Sequence, residues 1–91
     1  MERDLERYFN KRVREAGGMA LKFKSPGYTG VADRLAITSD GRIIMAELKN
    51  GERGSLKPRQ KVVIDRLAKF STKVWVIYDR QDVETFIAVL F

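Results

Sequence analysis

Asp33, Glu47 and Lys49 are the side chains best placed to do chemistry in this sequence. Glu47 and Lys49 close a segment, residues 42–49, that alternates Ile44, Ala46 and Leu48 with Ile43 and Met45. Both faces of this strand begin apolar, which marks it as central and buried. A carboxylate and an ammonium then emerge side by side at its C-terminal end. Taken alone, a Glu-x-Lys at a strand end is a surface ion pair. Asp33 changes that reading, because it opens the preceding strand, residues 33–38, on the same face as Leu35 and Ile37. Asp33 and Glu47 each lie seven residues from Asp40, so a hairpin closed at Ser39-Asp40-Gly41 sets them opposite each other. Two carboxylates at a partly buried position repel unless a cation sits between them. Mg²⁺ is the expected occupant, with Mn²⁺ also accepted, and Lys49 projects beside it.

Gln60 is a second departure from pattern. It sits within the stripe Val63, Ile64, Leu67 and Ala68 of a predicted helix, and on a helical wheel Ile64 and Leu67 lie about 40° and about −20° from it. It therefore faces inward, either as a cap of the first turn or as an amide that holds a water or a phosphate oxygen. Glu6 borders the apolar stripe of the first helix, with Glu2 one turn earlier. Either reaches a metal at the sheet edge or stays in solvent.

The chain has 91 residues and neither cysteine nor histidine. Disulfides, thiolate zinc sites, cysteine nucleophiles and imidazole acid–base chemistry are thereby excluded. What remains is carboxylate, lysine and hard-metal chemistry. With 18 Lys+Arg against 12 Asp+Glu the net charge is +6, which suits a polyanionic partner. Lys22, Lys24, Arg53, Lys57, Arg59 and Lys61 are the expected phosphate contacts, reading shape rather than base sequence. The apolar runs are too short to span a bilayer and the start of the chain, Met1-Glu2-Arg3-Asp4, is charged, so a cytoplasmic protein without membrane association is expected.

These residues need a framework. Leu5, Tyr8, Phe9, Val13 and Ala16 recur at helical spacing and Gly17-Gly18 stops the helix. Residues 19–23 read as a short strand, 24–30 as a Pro-Gly loop, 33–38 and 42–49 as an antiparallel hairpin. A glycine-bearing loop at 50–56 precedes a helix from Pro58 to about Lys69. Residues 73–78 form a last strand and 79–91 a last helix with Val83, Phe86, Ile87 and Leu90 on one face. The order is αβββαβα over a single α/β domain, residues 1–91. A helix between the third and fourth strands makes them parallel, so the sheet is mixed.

Gly30-Val31-Ala32-Asp33, Glu47-Leu48-Lys49 and Lys57-Pro58-Arg59-Gln60, in this order, resemble the signature of the virus-type replication–repair nuclease (VRR-NUC) domain of the PD-(D/E)xK superfamily. Ala32 stands where that family commonly has proline, which affects loop rigidity only. The resemblance implies a restriction-endonuclease-like core with Asp33, Glu47 and the Leu48 carbonyl as metal ligands. It makes Lys49 and Gln60 catalytic and maps the helix-one glutamate to Glu6, with Glu2 as the alternative. It further implies a Mg²⁺-dependent endonuclease that cuts branched DNA, above all four-way (Holliday) junctions, as a homodimer without a small-molecule cofactor. A monomeric flap- or nick-directed nuclease and a non-catalytic nucleic-acid-binding module are the alternatives. The closing residues 86–91 are more apolar than one buried helix face needs, which leaves Val89 or Phe91 for a partner.

Overall fold

The computed structural model describes residues 2–28, 30–49 and 56–91, without the side chains of Glu2 and Arg3. The elements follow the predicted order: α1 (Glu2–Glu15), β1 (Met19–Lys22), β2 (Arg34–Ile37), β3 (Ile43–Leu48), α2 (Pro58–Ala68), β4 (Val74–Ile77) and α3 (Arg80–Leu90). The sheet runs β1-β2-β3-β4, antiparallel at its first two pairings and parallel between β3 and β4. The α2 crossover between β3 and β4 is what permits that last, parallel pairing.

Local chemistry sets the boundaries. After α1, Gly17 takes φ of 90°, a conformation that costs a Cβ-bearing residue about 1 kcal/mol or more. The Gly18 N–H then bonds the Val13 carbonyl at 2.9 Å and the Gly17 N–H the Arg14 carbonyl at 3.0 Å, a Schellman closure that turns the chain into β1. Helix α3 starts on Asp79, whose carboxylate accepts the Asp82 N–H at 2.9 Å.

Alternation along the strands gives the sheet two unlike faces. One carries Ala36, Ala46, Leu48 and Ile77, and α1 and α3 cover it with Leu5, Phe9, Val13, Val83 and Phe86. The rings of Phe9 and Trp75 lie 5.3 and 5.6 Å from Phe86, the latter edge-on. Arg12 fastens the two helices together: its guanidinium donates twice to Glu84, at 2.8 and 3.0 Å, and the Tyr8 hydroxyl donates to the same carboxylate. The other face carries Leu35, Met45 and Glu47 and meets α2 toward β4, which leaves Met19, Leu21 and Ile43 exposed at 57, 42 and 65%.

Two expectations change. The stripe assigned to α2 buries only Val63; Ile64 and Leu67 are half-buried and Ala68 is exposed, because α2 packs on β4 at the rim of the sheet rather than across its width. The strands predicted over 33–38 and 42–49 each stop short, so Asp33 and Lys49 lie just past the ladder. The Asp33 carboxylate accepts the Leu48 N–H in place of a ladder bond, and the Lys49 N–H turns to the Ile77 carbonyl at 2.8 Å. Phe91 packs against Phe86 at 6.2 Å within its own chain yet stays 36% exposed, and Val89 is 62% exposed. The loop expected at 50–56 lies outside the described residues except for Leu56. Among the described residues, no helix is long and apolar enough to cross a membrane.

Candidate active site

The register that pairs Arg34 with Ala46 brings Asp33 level with Glu47, one step beyond the ladder. Asp33 Oδ1 accepts the Leu48 N–H at 3.3 Å and Oδ2 lies 3.6 Å from the Arg34 guanidinium. Glu47 Oε2 accepts a hydrogen bond from Gln60 Nε2 at 2.8 Å and lies 3.6 Å from Lys49 Nζ. The Glu47 and Lys49 side chains are 10 and 12% exposed and that of Asp33 is 31% exposed, so the group opens to solvent on the Asp33 side. Burial first, and then the charge of Asp33, push the Glu47 carboxyl above the ordinary carboxylate range. Lys49 and Gln60 pull the other way without reversing that shift. Each carboxylate of the pair has a cation beside it, Arg34 for Asp33 and Lys49 for Glu47.

Two carboxylates set level, with an all-oxygen donor set, suit a hard divalent cation. Among the described residues no three acidic side chains gather closely enough to hold a metal ion. An ion here would rest on Asp33 and Glu47, with the Leu48 carbonyl and water as further donors, an arrangement compatible with Mg²⁺ because it retains several waters.

Glu6 does not join the pair. Its carboxylate is bound by the guanidinium of Arg34, whose Nη1 also donates to the Asp33 carbonyl at 2.9 Å. Arg34 is 3% exposed, and its Nε has no hydrogen-bond partner among the described residues. Sequence reasoning missed this residue. The signal was available, since Arg34 shares the core-facing side of β2 with Ala36, and a cation there needs a carboxylate from the helix above it. The Glu2 side chain lies outside the described residues.

Helix α2 delivers Gln60. Pro58 opens the helix and Lys57 caps it in extended conformation. Gln60 Oε1 accepts the Lys57 N–H at 3.0 Å, while its amide nitrogen serves Glu47. Lys57 has no side-chain acceptor, so only half of a capping box forms. One amide thus both caps the helix and enters the site. The approach of α2 depends on Gly30, where a Cβ would lie 2.9 Å from Arg59 Cγ and 3.0 Å from Val63 Cγ2, and where φ is 86°. Without a side chain there, α2 closes against the loop that leads to Asp33.

The expected phosphate contacts that are described lie at the end of β1 and the start of α2. Lys22 ends β1 opposite Arg34, Lys24 follows it, and Lys57, Arg59 and Lys61 open α2; all five are exposed. Arg53 lies outside the described residues.

No family model matches the chain. It is 38% identical over 85 residues to a protein named "Putative nuclease p44" from Acyrthosiphon pisum secondary endosymbiont phage 1, covering 92% of this chain and 88% of that one. A solved structure described as a VRR_NUC domain superposes with a TM-score of 0.89 at 27% identity, over 99% of this chain and 97% of its own. Fold, length and sequence agree, and the chain belongs to the VRR-NUC family of nucleases.

Proposed function

We propose that this nuclease is a Mg²⁺-dependent DNA endonuclease selective for branched structures, with four-way junctions as its preferred substrate. The observation that carries the proposal is the pairing of Asp33 with Glu47 at one sheet end, with Lys49 and Gln60 both on the Glu47 carboxylate. Asp33 and Glu47 would hold a divalent ion, which when bound would supply neutralising charge to the scissile phosphate and lower the pKa of a water. Leu48 N–H and Arg34 fix the Asp33 carboxylate in direction, and Gln60 does the same for Glu47. Lys49 adds a cation where negative charge grows on the phosphoryl oxygens. Water oxygen bonds to phosphorus, the bond from phosphorus to the 3′ oxygen breaks, and a proton passes to that oxygen. The products are a 5′-phosphate and a 3′-hydroxyl.

Glu6 is assigned a supporting part, holding Arg34 and through it Asp33. Pairing of two copies suits a four-way substrate, and the exposed Met19, Leu21 and Ile43 favour it: an uncharged apolar strip matches a copy of itself across a two-fold axis. Cleavage of a four-way junction, a 5′-flap and a plain duplex in Mg²⁺ tests the preference. Fastest cutting of the junction supports it, whereas a preference for the flap by a monomer of 10.5 kDa replaces it with a flap-directed nuclease.

A further inference from the structure

Beside the acidic pair, α2 and the loop before Asp33 enclose an open cleft of about 450 Å³. Its floor is Val31, Val63 and Leu67, and its walls carry Tyr28, Arg66 and Phe70. Tyr28 is 41% exposed and Phe70 is 79% exposed, the latter an aromatic ring left almost wholly in water just past the end of α2. Arg66 Nη1 donates to the Tyr28 hydroxyl at 2.9 Å, and the Arg59 guanidinium lies over the same ring, 5.1 Å from its centre. None of the described residues lining the cleft is acidic.

An apolar ligand alone would gain nothing from the guanidiniums, and a bare phosphate would gain nothing from the apolar floor and two ring faces. A nucleotide uses both, since its base is a flat apolar plate and its phosphate an anion. The base must be unpaired or turned out of its stack, because in a duplex both of its faces are already covered.

The position of the cleft ties it to the chemistry. Val31 lines it, and Asp33 follows two residues later, at most about 7 Å along the chain. On α2, Val63 in the cleft and Gln60 in the site are separated by less than one helical turn, a rise of about 4.5 Å. The end of the cleft lined by Val31 and Val63 is therefore the end nearer Asp33 and Glu47.

We infer that the cleft between α2 and the chain segment bearing Ser25, Tyr28 and Val31 receives an unpaired nucleobase near the cleaved phosphate, stacked against Phe70 and the Tyr28 face that Arg59 leaves open, with Arg66 on its backbone. This rests on the reading of the chain as a DNA nuclease and deepens it. Flaps carry unpaired bases, and at a four-way crossover a paired base lacks a continuous stack and can be turned out, so the cleft gives the enzyme a means of telling such DNA from plain duplex.

The test uses the full chain and a branched oligonucleotide carrying 2-aminopurine as an unpaired base at the branch, without divalent ions so that nothing is cut. Stacking on an aromatic ring quenches that fluorophore. Wild-type protein is expected to quench it on binding. Phe70→Ala and Tyr28→Leu should abolish quenching and weaken binding of this DNA roughly 5- to 150-fold, the range expected for one base–aromatic stack. Phe70 is so exposed that its replacement leaves folding intact, and circular dichroism checks the Tyr28 variant. Binding without quenching overturns the cleft assignment while leaving the nuclease reading standing; failure to bind DNA at all overturns both. Conversion of a dimer to a monomer by Phe70→Ala, with no quenching, would give the cleft to a second copy of the chain and also overturn the proposal.

Discussion

The side-chain amide of Gln60 donates to Glu47 Oε2 at 2.8 Å while its oxygen accepts the Lys57 N–H at 3.0 Å, so one residue joins the start of α2 to the acidic site. Gln60→Ala removes a helix cap and leaves a carboxylate with 10% side-chain exposure short of a donor. A loss of about 1–2 kcal/mol in urea unfolding is expected, together with slower cleavage. Unchanged stability would mean that the amide serves neither group.

Burial and the charge of Asp33 push the Glu47 carboxyl up, so a cation bound at the pair would stabilise the folded protein. Millimolar Mg²⁺ is expected to raise the melting temperature of the wild type and leave that of Asp33→Ala unmoved. At a hundredfold excess over the dissociation constant the gain is about 2.7 kcal/mol. Equal shifts in both proteins, read by differential scanning calorimetry, would place the ion elsewhere.

Arg34 is buried and bridges Glu6 to Asp33. Arg34→Ala leaves the Glu6 carboxylate unpaired and a cavity beneath α1, at a cost of about 3 kcal/mol in urea unfolding. Glu6→Gln keeps a hydrogen-bond acceptor for Arg34 and should cost less, with Mg²⁺ affinity close to wild type by calorimetric titration. A collapse of Mg²⁺ affinity in Glu6→Gln would instead make Glu6 a metal ligand.

Hydrogen bonds from Arg12, and then from Tyr8, push Glu84 down to about 2 from its ordinary 4.5. A depressed carboxyl stabilises the fold fully above its unfolded pKa and loses that contribution as pH falls through the folded value. Between pH 4.5 and 2 the unfolded chain binds the proton that the folded chain refuses. Wild type should therefore lose more stability than Glu84→Gln across that window. The side chain is 37% exposed, so high salt narrows the difference.

Much of this was legible in the sequence because the signals were periodic or local. The spacing of Asp33 and Glu47 about Asp40 anticipated the register that sets them level, and the double apolar face of β3 anticipated its central place. The destination of Glu6 was not legible, since it depends on which helix lies over β2. Gln60 looked like a choice between cap and site, and only geometry shows that an amide with an acceptor at one end and donors at the other can meet both needs. The cleft escaped for a similar reason: Tyr28 and Phe70 are far apart in sequence, and no periodicity links a loop aromatic to one beyond a helix end.

The central claim, that Asp33 and Glu47 together run a metal-dependent nuclease, is tested most directly by the cleavage rate of an end-labelled four-way junction in Mg²⁺ for wild type and Asp33→Ala. Removing a metal ligand withdraws several kcal/mol of charge stabilisation, so the variant should cut about 1,000-fold more slowly or not at all, and chelation should silence the wild type. Cleavage by Asp33→Ala at the wild-type rate, or wild-type cleavage that survives chelation, would contradict the account.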